Sequence, residues 1–242
     1  MRTLSLFSGI GGLDLGLERA GFQIVAQCEA DPYCRAVLAK HWPGVPCHDD
    51  VRTLDPLKFG PIDAIVGGFP CQDVSNAGKR AGISAARSGL YRELVRCIRV
   101  ARPRYAILEN VAALLVRGMG EVLGDLAEVG YDAEWNCVSA CSVGAPHCRN
   151  RLFIAATDSE RNKQWREKPR CWTFGRMGRK LESFPWNGSW EAALAKFRGV
   201  DDGISRSVER TDALRNAVVP QVAEWIGYRI IESTRIQNAR YE

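Results

Sequence analysis

Short apolar runs alternate with longer amphipathic segments through the first two thirds of the chain. Strand-like apolar runs occur at TLSLF, FQIVAQCE, IDAIVGG, RYAILEN and NRLFIAAT. Between them, apolar residues recur at helical spacing in GGLDLGLERAG, DPYCRAVLAKHW, LYRELVRCIRVARP and MGEVLGDLAEVGY. Strands separated by helices indicate a sheet whose strands are joined by right-handed crossovers. We therefore predict an α/β fold with a mostly parallel sheet.

This alternation stops after Ala156. Residues from about 157 to 207 are rich in Arg, Trp, Gly and Pro and show no period of 2 or 3.6, whereas a helical apolar pattern returns after Pro220. The pattern predicts a main domain over residues 1–156, an inserted lobe over residues 157–207, and a C-terminal segment, residues 208–242, that completes the main domain.

Positive charge is concentrated in the predicted lobe. The chain has a formal net charge of +5, and residues 157–200 hold ten Lys or Arg against five Asp or Glu, which accounts for the whole excess. The same stretch contains four of the seven Trp. Basic residues interleaved with aromatic residues indicate contact with nucleic acid. A solvated face over a small aromatic core is the alternative.

The cysteine, histidine and apolar patterns exclude several classes of protein. The chain has nine Cys without CxxC pairs and three His, none at zinc-binding spacing, so we expect reduced thiols in a cytoplasm and no metal site. No apolar stretch approaches the ~18 residues of a membrane span. The N-terminal residues lack the apolar core of a signal peptide, and we expect no membrane association.

A glycine-rich loop, FSGIGG, connects the first strand to the first helix. Gly9, Gly11 and Gly12 give only part of the dinucleotide-binding pattern, so a nicotinamide dehydrogenase is a remote alternative. Glu29 ends the next strand, where a carboxylate can accept both hydroxyls of a ribose. Asp50 follows where the edge of a third strand would lie. Together they predict a nucleoside cofactor across the carboxyl edge of the sheet.

A second set of reactive side chains follows the later strands. Cys71 lies in GGFPCQDVS directly after the run IDAIV, and Glu109 ends the next strand in LEN. Arg149 and Arg151 come just before the run LFIAA. A thiolate is the reactive form of Cys, and buried carboxyl groups can act as acids. Thiol, carboxylic acid and guanidinium are the groups needed to add a nucleophile to a pyrimidine.

At this point the sequence resembles the cytosine-5 DNA methyltransferase family, of the small prokaryotic or phage type. The matching segments, in the order in which they occur, are Phe7 to Gly12, Glu29, Asp50-Val51, Phe69-Pro70-Cys71-Gln72, Leu90, Glu109-Asn110-Val111, Arg149-Asn150-Arg151 and Asn216 to Pro220. The resemblance implies a Rossmann-like, S-adenosylmethionine-dependent methyltransferase fold. It also implies that residues 1–156 form the catalytic and cofactor-binding domain and that residues 157–207 form a target-recognition lobe.

The resemblance further implies a reaction and a set of cofactor contacts. The enzyme would transfer a methyl group from S-adenosylmethionine to carbon 5 of a flipped-out cytosine in double-stranded DNA. Cys71 would add to carbon 6, Glu109 would protonate N3, and Arg149 and Arg151 would hold the base and Glu109 in place. The residues implied in cofactor binding are Phe7, Gly9, Gly11, Gly12, Glu29, Asp50, Val51, Leu90, Asn216 and Val218.

DNA contacts are expected in two places. The segment from Gln72 to Gly89 would close over the substrate, and the lobe would contact phosphates and base edges. The predicted DNA-binding residues are Gln72, Ser75, Lys79, Arg80, Arg87, Arg176, Arg179 and Lys180. We expect a monomer acting on DNA in the cytoplasm of a bacterium or of a phage-infected cell, with a restriction enzyme as an open question.

The sequence departs from the family pattern at two motif positions and in one segment. His147 stands where Gln is usual, Arg215 stands where Gly is usual, and the lobe is short for a target-recognition region. The chemistry is unaffected by these departures, but the recognition sequence stays open. Two alternatives remain: the same chemistry on a transfer RNA cytosine, and a nucleic-acid-binding relative that has lost catalysis.

Overall fold

A computed structural model describes residues 1–70, 89–145, 147–161 and 217–238 of the chain. Within these residues the strands are β1 (Arg2–Leu6), β2 (Gln23–Cys28), β3 (Cys47–His48), β4 (Ala64–Gly68), β5 (Tyr105–Val111), β6 (Tyr131–Ser139) and β7 (Asn150–Asp158). The helices are α1 (Gly12–Arg19), α2 (Pro32–His41), α3 (Gly89–Ala101), α4 (Leu114–Arg117), α5 (Met119–Glu128) and α6 (Pro220–Asn238). Short 3-10 turns lie at Pro56–Phe59 and Ala140–Val143.

These strands form one sheet in the order β3-β2-β1-β4-β5-β7-β6. The pairs among β1 to β5 are parallel, whereas β7 is antiparallel to both β5 and β6. The predicted α/β fold with a mostly parallel sheet is confirmed. The strand edge expected before Asp50 corresponds to β3. The sequence analysis missed β6, and it did not foresee that β7 runs against its neighbours.

The two faces of the sheet are each covered by helices. Side chains alternate along the central strands, so Ile65 and Leu108 lie in the apolar cluster formed with α3 and α5. Val66 and Ile107 lie in the cluster on the other face, formed with α1 and α6. Burial on both faces explains why the central strands appear in the sequence as continuous apolar runs.

The C-terminal helix packs directly against the first helix. A Cβ atom on Gly16 would overlap the backbone carbonyl of Pro220, and one on Gly227 would lie 2.6 Å from the Cβ of Ala20. Glycine at these positions therefore lets α1 and α6 approach closely. Among the described helices, none combines the length and the apolar character that crossing a membrane requires.

The described residues reach only the two ends of the predicted lobe. β7 continues past the predicted boundary at residue 156, because Thr157 pairs with Tyr105 and Asp158 pairs with Tyr131. Most of the lobe, with Arg176, Arg179 and Lys180, lies outside the described residues. The division of the chain into a main domain, a lobe and a completing C-terminal segment stays a prediction.

Candidate active site

The carboxyl ends of the parallel strands bring most of the described candidate residues to one edge of the sheet. The glycine loop follows β1, Glu29 follows β2, Phe69 follows β4, and Glu109 lies near the end of β5. Arg151 lies at the start of β7, and because β7 is antiparallel its first residues reach the same edge, where Arg151 pairs with Val111. Ligand sites in open α/β sheets form at this edge.

Glu109 is held between the ends of β4, β5 and β7. Its side chain is buried, and its Oε1 lies 2.8 Å from the Nε of Arg151. The Oε2 atom lies 2.7 Å from the position that a Cβ on Gly68 would occupy. A larger residue at position 68 would therefore displace the carboxyl group.

Glu109 combines an ion pair with a strong loss of hydration. Burial raises the pKa of its carboxyl group, and the nearby charges of Arg151 and Arg149 oppose that rise without cancelling it. Although Arg151 is close, Oε1 has no hydrogen-bond partner among the described residues. A buried carboxyl group with a raised pKa, one of whose oxygens makes no hydrogen bond within the described residues, is suited to donate a proton to a ligand.

Arg149 and Arg151 line a common cavity. Arg151 lies on β7, whereas Arg149 lies just before the strand begins, and both residues line the same space. Burial, and then repulsion from Arg151, lowers the pKa of Arg149 to about 10 despite the attraction of Glu109. Its Nη2 atom is buried without a hydrogen-bond partner among the described residues. The other lining residues are Val138, Ala140, Phe153, Ala217, Val218, Val219 and Val222.

Asn110, which the sequence analysis matched to a motif but did not include among the site residues, fixes the backbone beside Glu109. Its Nδ2 donates to the carbonyl of Phe69 over 3.1 Å, and its Oδ1 accepts from the amide of Val111 over 2.8 Å. The side chain is 3% exposed. Asn110 therefore ties the end of β5 to the chain just before the Pro70-Cys71 step.

The glycine loop has an unusual backbone conformation. Phe7 and Gly9 both have a φ of +55°, and Gly11 has a φ of +83°. A positive φ is strained for a bulky residue such as Phe7, and strain of this kind concentrates at ligand sites. No described atom lies within 4 Å of the position that a Cβ on Gly9 would occupy. Space is therefore open above this turn.

Glu29 is held close to the glycine loop. Its Oε2 accepts from the amide of Gly9 over 2.7 Å, and its Oε1 accepts from the amide of Asp31 over 2.9 Å. Each carboxylate oxygen can accept more than one hydrogen bond, so both keep the capacity to accept a further donor. The loop and the carboxylate therefore form one unit at the ends of β1 and β2.

Two further glycines of the loop allow close packing. A Cβ on Gly11 would overlap the ring of Trp42, and one on Gly12 would overlap the backbone carbonyl of Val218. Val218 lies just before α6 and also lines the cavity beside Arg149. The segment before α6 thus joins the glycine loop to the arginine pair.

The other described candidates for cofactor binding lie either against an apolar cluster or beside a charged side chain. Phe7 and Leu90 pack against the same apolar cluster, and Val51 is buried in it. Asp50 accepts from the Nε of Arg52 over 2.9 Å, and that hydrogen bond lowers the pKa of the Asp50 carboxyl. An apolar surface with a carboxylate beside it matches the needs of a heterocyclic base.

Several predicted site residues lie outside the described part of the chain. They are Cys71, Asn216, Gln72, Ser75, Lys79, Arg80, Arg87, Arg176, Arg179 and Lys180. Their roles stay predictions, as do the roles of the site residues whose positions are described. Within the described ranges, no group of three or more His, Cys, Asp or Glu could hold a metal ion.

The sequence analysis also missed Asp14, which is completely buried under the glycine loop. The signal was present, because Asp14 stands beside Leu13 on the face of α1 that helical spacing assigns to the core. An acidic residue at a core position of an amphipathic helix indicates a specific partner.

Comparison with known proteins gives the family. Residues 1–187 match the family model of the C-5 cytosine-specific DNA methylases. The type II methyltransferase M2.BsuMI of Bacillus subtilis is 38% identical over 165 residues, which are 65% of this chain and 42% of that protein. M.FnuDI of Fusobacterium nucleatum is 34% identical over 67% of this chain and 48% of that protein. M.AquIA of a Picosynechococcus strain is 33% identical over 63% of this chain and 70% of that protein.

Solved structures show the same fold. A protein described as a DNA modification methyltransferase encoded within an E. coli prophage is 28% identical with a TM-score of 0.57, over 67% of this chain and 48% of that one. A DNMT2 protein from Spodoptera frugiperda is 22% identical with a TM-score of 0.59, over 75% of this chain and 56% of that one, and shows the fold alone. The chain spans somewhat less than half of the first two curated relatives. The match to the family model covers most of the chain, which therefore belongs to the C-5 cytosine-specific DNA methylase family.

Proposed function

We propose that this chain transfers a methyl group from S-adenosylmethionine to carbon 5 of cytosine in double-stranded DNA, with Cys71 as the nucleophile. Family membership supports the reaction type. The observation that carries the proposal is Glu109, a buried carboxyl group at the sheet edge where the Cys71 segment begins. Its Oε1 lies 2.8 Å from the Nε of Arg151 but makes no hydrogen bond within the described residues.

Cytosine is a poor electrophile at carbon 6 until its N3 is protonated. Glu109 holds the proton for N3, because burial raises the pKa of its carboxyl group and keeps the neutral form available. Arg151 holds the Glu109 carboxyl in place, because its Nε lies 2.8 Å from Oε1. The unpaired Nη2 of Arg149 is a donor for a carbonyl oxygen such as O2 of the base.

Protonation of N3 allows the Cys71 thiolate to form a bond to carbon 6. When bound, S-adenosylmethionine supplies the electrophilic methyl group that carbon 5 takes up. Loss of the carbon 5 proton to a base then expels the Cys71 thiolate and restores the aromatic ring. Asn110 supports this sequence by fixing the Phe69 backbone just before Cys71.

The residues at the ends of β1 and β2 fit S-adenosylmethionine. The open space above Gly9 admits a ligand, and Glu29 has acceptor capacity left for the ribose hydroxyls. Phe7 and Leu90, which are only partly buried, offer an apolar surface for the adenine, and Val51 lies in the buried cluster against which they pack. Val218 closes the site beside Gly12. These residues would hold the cofactor, while Cys71 and Glu109 would act on the base.

Double-stranded DNA is the proposed substrate. The relatives M2.BsuMI, M.FnuDI and M.AquIA are named as type II methyltransferases, which supports a role in restriction and modification. Attack on carbon 6 is perpendicular to a ring that is stacked in the duplex, so the target cytosine has to leave the stack. The basic lobe and the segment from Gln72 to Gly89 would make the DNA contacts. A monomeric state and a cytoplasmic location belong to the same proposal.

The test is methyl transfer by the purified chain with labelled S-adenosylmethionine, using duplex DNA of mixed sequence and, separately, transfer RNA. We expect label in DNA and, by base-resolution sequencing, 5-methylcytosine at one recognition sequence. Cys71→Ala should abolish transfer and keep cofactor binding. Cys137→Ala, at an exposed thiol on β6, is the matched control and should keep full activity.

Two results would overturn the proposal. Label in transfer RNA but not in duplex DNA would show that the substrate class is wrong. Normal turnover by the Cys71→Ala variant would show that the chemistry does not proceed through that thiol.

A further inference from the structure

A chain of buried polar side chains lies beneath the glycine loop. The Oγ of Ser5 donates to Oδ1 of Asp14 over 2.5 Å, and Nε2 of Gln27 donates to Oδ2 over 2.7 Å. Ser5 Oγ and Ser8 Oγ are 2.9 Å apart. Ser5, Asp14 and Gln27 are 0% exposed, and Ser8 is 8% exposed. Such a network is costly to bury and has to be nearly complete to persist.

The carboxylate of Asp14 sets the direction of the hydrogen bonds. Because Asp14 accepts the proton of the Ser5 hydroxyl, Ser5 Oγ is an acceptor toward Ser8, whose hydroxyl also donates to the Ser5 carbonyl over 3.3 Å. Ser8 is further held by its own amide, which donates to the carbonyl of Cys28 over 3.1 Å, and its carbonyl accepts from the amide of Gly11 over 2.9 Å. The network therefore extends from α1, through β1, to the residue just before Gly9.

Gly9 is the point at which the network meets the site. Its amide donates to Glu29, the carboxylate assigned to the ribose, over 2.7 Å. On the proposed function, Gly9 and Glu29 both face the cofactor. A shift of Ser8 would move the Gly9 amide away from Glu29 and would change the shape of the turn above which the cofactor lies.

We propose that Asp14 is a positioning residue for cofactor binding, acting through Ser5 and Ser8 on the Gly9–Glu29 contact. It does not touch the cofactor. Its function is to hold the loop in the conformation with a positive φ at Phe7, which a bulky residue does not adopt readily by itself. The inference rests on the proposed function, because it takes the ligand at this loop to be S-adenosylmethionine.

The structure supplies a conservative variant. Within the part of the chain that the structure describes, the Oε1 of Gln27 has no hydrogen-bond partner. In Asp14→Asn, the Oδ1 atom still accepts from Ser5, and the Gln27 amide can turn over so that its oxygen accepts from the new Nδ2. Asp14→Ala removes both acceptors, so that the Nε2 of Gln27 loses its partner in the core and the Ser5 hydroxyl keeps only its contact with Ser8.

The experiment measures the affinity for S-adenosylmethionine by calorimetry, together with unfolding by urea, at a temperature where every variant is folded. We expect Asp14→Ala to weaken binding about tenfold or more, as expected for breaking a buried hydrogen bond that orders a site. Asp14→Asn should stay within about threefold of the wild type. In a double-mutant cycle, Ser8→Ala combined with Asp14→Ala should weaken binding by less than the product of the single effects.

Asp158→Ala is the matched control. Asp158 is 2% exposed and accepts from the Nη2 of Arg102 over 2.9 Å, at the end of β7 on the opposite edge of the sheet. Its loss should destabilise the fold and leave the cofactor affinity within about twofold of the wild type, because distant sites act independently.

The outcomes are distinct. Binding by Asp14→Ala that equals wild-type binding overturns the positioning role, and so does weakening by Asp158→Ala as large as that by Asp14→Ala. Additive effects of Ser8→Ala and Asp14→Ala overturn the route through Ser8. If the wild-type chain itself does not bind S-adenosylmethionine, the proposed function fails and the inference fails with it.

Discussion

Substituting Asp14 by Asn should change how the stability of the protein depends on pH. Burial raises the pKa of Asp14 from its ordinary value of 3.8 to about 6, and the hydrogen bonds from Ser5 and Gln27 oppose that rise only in part. Glu18, one turn along α1, raises the pKa of Asp14 further. Asp14 in turn affects the Cys47 thiol on β3. Burial raises the pKa of that thiol, and the charge of Asp14 raises it further to a smaller extent.

The magnitude follows from the difference between the folded and unfolded pKa values. A change from 3.8 to about 6 corresponds to about 3 kcal/mol, since a tenfold change in proton affinity is worth about 1.4 kcal/mol. Between these pH values the folded protein holds a proton that the unfolded chain has lost, so stability falls as the pH rises. The contribution of neutral Asp14 is complete below about pH 4 and is lost as the pH rises through about 6.

The assay is urea unfolding of the wild type and of Asp14→Asn at intervals between pH 4.5 and 8. Other groups titrate in both proteins, so the useful quantity is the difference between their unfolding free energies. We expect the wild type to lose about 2 kcal/mol relative to Asp14→Asn across this range. A difference that stays constant with pH would refute the reasoning, because Asp14 would then not change its charge in the folded protein.

Three further predictions concern the site itself. Glu109→Gln should slow the single-turnover rate of methyl transfer about a hundredfold, as expected for a lost general acid, and should leave the cofactor affinity intact. A decrease of less than about tenfold would show that N3 receives its proton from another group. Gly12→Ala should destabilise the fold by about 1–3 kcal/mol and weaken cofactor binding, because its Cβ would overlap the carbonyl of Val218. The control in urea unfolding is Gly124→Ala, at an open position of α5, whose free energy of unfolding should rise by up to about 1 kcal/mol. Equal changes in the two variants would show that the contact between Gly12 and Val218 is not tight. DNA with 5-fluorocytosine at the recognition sequence should trap a covalent complex, and peptide mapping should place it on Cys71, whereas an adduct on another cysteine would contradict the assignment.

The fold was largely predictable because burial on both faces marks the central strands. β4 and the first part of β5, from Tyr105 to Leu108, carry no charged residue, and the ends of the two strands carry the turn residues and the acid that define the site edge. β6 was missed because it is a partly exposed edge strand, in which Trp135 is 45% exposed and Glu134 interrupts the apolar run. Its alternation of apolar and polar residues from Tyr131 to Cys137 was the signal that could have found it.

The site was predictable as a set of motifs but not as a geometry. Matching motifs gave Glu109 and Arg151, but their ion pair depends on the antiparallel direction of β7, which no local pattern specifies. Asn110 was part of a motif, yet its bond to Phe69 joins two strands that are distant in sequence. Asp14 was overlooked because helical spacing identifies a core position without indicating which polar groups meet there.

The contact between α1 and α6 has a consequence for how the protein folds during synthesis. The hydroxyl of Tyr228 in α6 donates to the carbonyl of Arg19 at the end of α1, across 209 residues of sequence. At about 5–20 residues per second, roughly 10–40 s of translation separate the two helices. Throughout that time the apolar side chains of Leu13 and Leu17 on α1 lack their partner helix. A nascent chain stalled before Pro220 should therefore bind chaperones through α1, and release should coincide with the emergence of α6 from the ribosome.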